Sequence, residues 1–175
     1  MKKSVVRTLS FVAICAGFFT NAHGQTTGSQ TFTVSVPQNI SITAPAAVGL
    51  THDQSDNPEA FPAQAWTVRG NSLGGVNVSF ATSNAFTHAT DPTFKRDAKL
   101  NLALGTVQGP ALWTIAVPQD QTNYLTGDGV AQVTASSNGV GRASFNLAVT
   151  FITEEFGTFA QGDYTTTVVG TVAAN

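Results

Sequence analysis

Two histidines, each followed closely by acidic residues, are the side chains in this sequence best suited to chemistry. His52 precedes Asp53 and Asp56, and His88 precedes Asp91. An imidazole oriented by a carboxylate can act as a general base, and the two groups together can bind zinc. Carboxylate oxygens also suit calcium. We therefore treat His52, Asp53, His88 and Asp91 as candidate contact residues.

These residues lie in two polar, proline-containing segments, 50–62 and 84–97. Loops of this length without secondary structure are uncommon and often functional, so a site is expected here first. Their spacing matches no metal-binding motif, however, and Asp, Asn and His in surface loops usually form turns. We therefore predict no cofactor and no metal site, with calcium binding as the alternative.

The sequence does not favour an enzyme. An active site would require His52 and His88 to converge with Asp53 or Asp91 in one cleft. The chain has no glycine-rich phosphate-binding loop between a strand and a helix, and its only cysteine is Cys15. We predict that the protein is not an enzyme and has no catalytic residues.

Aromatic side chains offer a second kind of contact. Tyr124 lies in a polar segment and is the best single candidate for an exposed contact residue. Trp66 and Trp113 are in phase with apolar neighbours, so we predict that both belong to the core. The alternative is that they form an exposed platform on which sugar rings stack.

The elements that must position these side chains are predicted to be β-strands. Apolar and polar residues alternate with a period of two in about nine runs, the longest of which covers residues 143–151. Such alternation is typical of half-buried strands. We predict an all-β protein with a single immunoglobulin-like antiparallel β-sandwich over residues 25–175, and a closed β-barrel as the alternative. The pair Asn138-Gly139 predicts a type I′ hairpin.

The N-terminus has the pattern of a Sec-type signal peptide. Basic residues precede an apolar run at 9–19, which is too short to span a bilayer, and small residues follow at Ala22 and Gly24. We predict a signal peptide at 1–24 and a secreted, periplasmic or cell-surface protein. An N-terminal anchor is the alternative.

Residues 25–175 contain five basic and ten acidic residues, a net charge of −5, and no cysteine. Export without disulfides suggests a bacterial protein whose core alone stabilises it. A sparse, acidic charge set provides no electrostatic footprint for nucleic acid or anionic lipid. We therefore expect no nucleic-acid partner and no membrane span in this part of the chain.

The C-terminal segment 159–172 reads FAQGDYTTTVVGTV, in which Gly162-Asp163-Tyr164 precedes a strand rich in Thr and Val. It resembles the closing strand of secreted bacterial surface modules, the spore coat protein U-like and fimbrial-subunit-like sandwiches. The cysteine pair that those families have near the N-terminus is not present. The resemblance implies a non-enzymatic subunit of a surface fibre or coat that assembles by strand exchange.

Both ends of the predicted domain suit strand pairing. Residues 25–36 (QTTGSQTFTVSV) begin polar and become an alternating strand, and the closing strand at 164–172 has no charge. These strands could pair within one molecule or with a neighbour. We predict an exported structural or adhesive surface protein that pairs with itself or another surface subunit. The alternative is a carbohydrate- or ligand-binding module for an extracellular polysaccharide.

Overall fold

The period-two alternation of the sequence becomes a set of antiparallel β-strands. The computed structural model describes residues 24–155 and 157–175, so the predicted signal peptide lies outside them except for its last residue. The chain divides after Ser35 into two units. The described part of the first unit, residues 24–35, is exposed and has no regular secondary structure.

The second unit forms thirteen strands within the described residues and no helix, and accordingly no helix long and apolar enough to cross a membrane. The strands are β1 (Ile40–Thr43), β2 (Glu59–Ala60), β3 (Gln64–Gly70), β4 (Val76–Thr82), β5 (Phe86–His88), β6 (Lys95–Arg96), β7 (Ala98–Gln108), β8 (Trp113–Val117), β9 (Gln119–Gln121), β10 (Gln132–Ser137), β11 (Gly141–Phe151), β12 (Tyr164–Thr165) and β13 (Val168–Ala174).

The strands form three antiparallel sheets. The six-stranded sheet has the order β1-β3-β11-β7-β9, with β2 also paired to β11. The four-stranded sheet has the order β13-β4-β10-β8, and a small sheet joins β12, β5 and β6. None of the three closes on itself, so the alternative of a closed barrel is wrong and the fold is the predicted β-sandwich.

The main core lies between the two larger sheets. Rings of Trp66, Phe80 and Phe145 meet edge-on or tilted at centroid distances of 5.2 and 5.9 Å, and Trp113 meets Phe145 at 5.6 Å. These are favourable aromatic geometries. Trp66 and Trp113 are only 8% and 9% exposed, which confirms their predicted place in the core.

A second, smaller cluster lies beside the three-stranded sheet. Phe86, Ala98 and Phe151 are buried there, with Phe61 and Tyr164 packed against them. The rings of Phe86 and Phe151 are 5.1 Å apart, and those of Phe151 and Tyr164 are 5.6 Å apart. This cluster fixes the segments that contain both candidate histidines.

Several predicted boundaries differ from the structure. Residues 32–36, predicted as the first strand, form none. The segments 50–62 and 84–97 are not structureless loops, because they contain β2, β5 and β6. These strands have only two or three residues, too few to show an alternation, and they form because β11 and β12 provide pairing partners.

The predicted hairpin at Asn138-Gly139 is wrong. It joins β10 to β11, but these strands belong to different sheets, and neither residue has a positive φ. The Asn138 N–H donates to the Leu112 carbonyl at 3.2 Å, and the Leu112 N–H donates to Asn138 Oδ1 at 2.8 Å. The turn is therefore tied to the segment before β8 and carries the chain from one sheet to the other.

Candidate functional site

Strand β13 ends the four-stranded sheet and leaves one edge unpaired. It pairs with β4 along all seven of its residues, and β4 is its only strand partner in the part of the chain that the structure describes. The other edge strands of the two larger sheets are shorter, with five residues in β8, four in β1 and three in β9. β13 has no charged residue and no proline, the usual protection of an exposed edge.

The interior beside this edge is incompletely covered. Ile40 and Ile42 of β1 and Val168 and Val172 of β13 pack against the main core but stay only partly buried. β1 has four residues, so it covers only part of β3. An additional strand along β13 would cover apolar side chains that the sandwich leaves partly in contact with water.

The N-terminal segment 31–36 has the complementary pattern. Its apolar residues Phe32, Val34 and Val36 are 82%, 86% and 78% exposed, and Thr31, Thr33 and Ser35 alternate with them. Three alternate large apolar side chains with this much exposed surface are unusual in a folded domain.

His52 is held by hydrogen bonds on both ring nitrogens. Nε2 lies 3.0 Å from Thr153 Oγ1, and Nδ1 accepts the Gln54 N–H at 2.8 Å. Since a backbone N–H must donate to Nδ1, the proton of a neutral ring lies on Nε2. His52 therefore fastens its segment to the end of β11 rather than projecting toward a ligand.

One group of side chains could converge on a cation. Ligand atoms of His52, Asp53 and Glu59 lie within 4.8 Å of one another. However, Asp53 Oδ1 accepts the Ser55 N–H at 2.8 Å, and Glu59 Oε1 accepts the Asp53 N–H at 3.2 Å. Hydrogen bonds from Ser55, first through its side chain and then its backbone, lower the pKa of Asp53. These hydrogen bonds stabilise the loop, and they explain why the three side chains lie close together.

His88 repeats the arrangement of His52. Its Nε2 lies 3.0 Å from the Gln161 carbonyl, and Nδ1 accepts the N–H groups of Thr90 and Asp91. His88 is only 8% exposed, so little of its ring is accessible from outside the protein. The Asp91 carboxylate instead accepts from Thr93, whose hydroxyl and then backbone N–H lower the Asp91 pKa.

The two histidines lie near one another without forming a shared site. His52 contacts Phe151 at 5.7 Å between ring centroids, and His88 contacts Tyr164 at 5.1 Å. Phe151 and Tyr164 also contact each other, so these two rings stand between the imidazoles. Among the described residues, neither histidine hydrogen-bonds a carboxylate. The arrangement offers no base oriented by an acid.

Tyr124 is half-buried rather than an exposed contact residue. Its hydroxyl donates to Glu154 Oε2 at 3.4 Å and accepts from Arg96 at 3.3 Å. Its backbone N–H donates to the buried Asp97. Burial, followed by the negative charge of Glu154, raises the pKa of Tyr124. Its phenol therefore belongs to a partly buried polar network around Arg96.

Arg96 is the centre of that network and was not predictable from sequence spacing. It is 3% exposed, and its Nε donates to the Thr153 carbonyl at 3.1 Å. Its terminal nitrogens donate to the Lys95 carbonyl, Tyr124 Oη and Thr158 Oγ1. In the sequence it is one of two adjacent cations in a polar segment, where an exposed side chain is the usual expectation.

A shallow depression of about 280 Å³ lies beside Tyr124. Asn84, Pro92 and Lys95 contribute to its wall. The Asn84 amide already donates to Thr87 Oγ1 at 3.0 Å and accepts from Ser83 Oγ. Few polar groups therefore remain there to orient a ligand.

The pentapeptide Gly70-Asn71-Ser72-Leu73-Gly74 has the Gly-x-Ser-x-Gly pattern of a hydrolase nucleophile. In those enzymes the serine occupies a turn between a strand and a helix. Here the turn joins β3 to β4, and strands follow instead of a helix. No hydrogen bond links Ser72 to either described histidine, so the pattern forms a turn without a catalytic partner.

Comparisons of the chain with protein-family models, curated protein sequences and solved structures give no significant match. The function is therefore inferred from the features above. Of these, the exposed segment 31–36 and the unpaired edge of β13 complement each other chemically.

Proposed function

We propose that this protein is an exported structural subunit of a bacterial surface fibre or coat, in which copies are joined by strand addition. Segment 31–36 of one copy pairs with the free edge of β13 of the next. The observation that supports this is the exposure of Phe32, Val34 and Val36 in an alternating segment. The proposed acceptor, β13, is the longest edge strand of the two larger sheets.

Strand addition uses two kinds of interaction. Backbone hydrogen bonds between donor and edge give affinity, and alternate side chains entering the partner's interior give specificity. Burying a Phe or Val side chain contributes about 1.5–3 kcal/mol. These contributions, together with the backbone hydrogen bonds, oppose the free-energy cost of association and of ordering the segment.

The junction is head-to-tail, since donor and acceptor are different surfaces. Interfaces of this kind produce rings or open filaments rather than closed two-fold dimers. The resemblance of segment 159–172 to fimbrial-subunit-like sandwiches supports the same assembly. The sugar-stacking alternative lacks its platform, since Trp66 and Trp113 are buried.

Size-exclusion chromatography with light scattering on residues 25–175 tests the donor. We expect oligomers that grow with concentration, and a monomer for Val34→Asp, because the charge cannot enter the partner's apolar interior. Thr33→Asp is the matched control, since it puts the same charge on the opposite face of the segment. Equal assembly of both variants would contradict the proposal.

Val169→Lys tests the acceptor. Val169 is exposed on β13, and a lysine on an edge strand hinders pairing. Val117→Lys on β8, at the other end of the same sheet, is its control. A mixture of Val34→Asp and Val169→Lys retains one intact donor and one intact acceptor, so we expect it to form dimers and nothing larger. Higher oligomers in that mixture would show another interface.

A further inference from the structure

Two arginines lie directly opposite each other on adjacent strands of the six-stranded sheet. Arg69 of β3 is the cross-strand partner of Arg142 of β11, and both side chains are exposed. Like charges in this position repel each other. Within the described residues neither arginine has a hydrogen bond or an ion pair, and the ion pair that the structure does contain joins Arg96 to Glu154.

The charges of the molecule are unevenly distributed. The six-stranded sheet has two acidic residues, Glu59 of β2 and Asp120 of β9, and both strands pair around residues 98–101 of β7 and 148–151 of β11. Arg69 and Arg142 lie at the other end of β3 and β11. Residues 25–175 as a whole have a net charge of −5. A pair of cations at the end of the sheet away from its acidic residues, on an otherwise acidic protein, has the charge expected of a surface for an anion.

The side chains beside the two arginines are able to form hydrogen bonds, and none of them is aromatic. The register places Ser41, Arg69, Arg142 and Gln108 in one row across β1, β3, β11 and β7. Arg69 and Arg142 are exposed next to the buried Val68 and Ala143, so they and the residues in register with them share the outer face of the sheet.

A concave site of about 200 Å³ adjoins Arg142. Its wall consists of Thr67, Thr106, Gln108, Arg142 and Ser144, all of which have hydrogen-bonding side chains. Gly105 lies close by, where a Cβ would stand 3.3 Å from Ser144 Oγ and 3.4 Å from Asn146 Nδ2. The glycine thus keeps this part of the face free of a side chain.

We propose that this face binds an acidic polysaccharide through its carboxylate groups. Opposed side chains on paired strands have Cβ atoms about 5 Å apart, so both guanidinium groups can reach one carboxylate. The neighbouring hydroxyl and amide groups suit the hydroxyls of a sugar. A site of about 200 Å³ is smaller than the roughly 300 Å³ of common ligand pockets, as expected for one unit of a polymer lying across the sheet.

The alternatives fit less well. A neutral sugar would be expected to stack on an aromatic ring, and the exposed row has none. A nucleic acid would need many phosphate contacts, whereas this face offers a single pair of opposed arginines. The proposed polysaccharide surface uses none of the residues of segment 31–36 or of β13, so the proposal does not depend on strand addition.

The test is a binding titration with polygalacturonate, using residues 25–175 with the Val34→Asp change so that assembly adds no avidity. We expect saturable binding that weakens with salt and no binding to neutral dextran. Arg69→Gln and Arg142→Gln together should weaken binding at least tenfold. Lys95→Gln is the control for each single arginine variant, because it also removes one positive charge, from β6 in another sheet.

Several results would overturn the proposal. A loss with Lys95→Gln as large as with the arginine variants would mean that net charge alone is being measured. Binding of polyglutamate as tight as that of polygalacturonate would exclude recognition of a sugar. Arg142→Gln should also raise the melting temperature, since it removes a repulsion; a lower melting temperature would assign the guanidinium to the fold. Failure of strand assembly would leave each of these results unchanged.

Discussion

Ile42 packs directly over Gly170, so that β1 of one sheet meets β13 of the other through a residue without a side chain. A Cβ at position 170 would lie 2.7 Å from Ile42 Cδ1 and 2.7 Å from Trp66 Cζ3. The glycine therefore lets an isoleucine and a tryptophan close this side of the sandwich, beside the edge that we propose as the acceptor.

Gly170→Ala should destabilise the fold. The added methyl group must displace Ile42 or Trp66, and overpacking of this kind costs about 1–3 kcal/mol. Urea denaturation monitored by tryptophan fluorescence measures the change. Gly129→Ala is the control, because a Cβ there meets nothing within 4 Å. Equal stability of the two variants would mean that the Ile42 contact is loose.

Arg96→Lys should be strongly destabilising although it preserves the charge. An ammonium group lacks the planar set of donors that reaches Thr153, Tyr124 and Thr158 together. Of these three acceptors the Thr153 carbonyl is bonded in the interior, and leaving a buried acceptor unpaired costs about 1–3 kcal/mol. Arg69→Lys on the exposed sheet face should change the free energy of unfolding by less than about 0.5 kcal/mol. An equal change in the free energy of unfolding for the two substitutions would contradict the role given to the Arg96 hydrogen bonds.

The Tyr124 phenol should ionise above its ordinary pKa of 10.0, because burial and the Glu154 charge disfavour the phenolate. Since the folded-state pKa is the higher one, the stability that this group contributes is full below pH 10 and is lost as the pH rises through the raised value. The chain has two tyrosines, so Tyr164→Phe leaves one phenol to follow by ultraviolet absorbance.

Adding Glu154→Gln to that variant should lower the ionisation midpoint, since it removes the neighbouring charge. A midpoint at or below 10.0 before the change would show that Tyr124 is solvated and that the network around Arg96 is open.

Long alternating runs were sufficient to predict the sheets. The run at 143–151 falls within β11, where successive side chains point in turn toward the core and toward the outer face of the sheet. The sequence alone did not predict which strands pair with each other. Asn138-Gly139 has the composition of a tight hairpin turn, but its bonds to Leu112 direct β10 and β11 into separate sheets. Contacts between residues this far apart in the chain produce no recognisable pattern in the local sequence.

The candidate residues show the same limit. His52 and His88 were correctly placed in polar segments, but their ring nitrogens bond to Thr153 and Gln161, which are far away in sequence. Nor does spacing reveal that Arg69 and Arg142 face each other, since they are joined only by the register of β3 and β11. Alternation predicts which face a side chain occupies, whereas its neighbours on that face depend on the fold.

The contact between Ile42 and Gly170 also has a mechanical consequence. In a fibre built by strand addition, each copy is pulled at β13, where it holds its neighbour's segment, and at residues 37–39, which lead from its own segment into β1. Because β1 and β13 touch, tension would cross the domain along this one side. The packing of Ile42 and Trp66 against Gly170 would then bear part of the load between neighbouring copies.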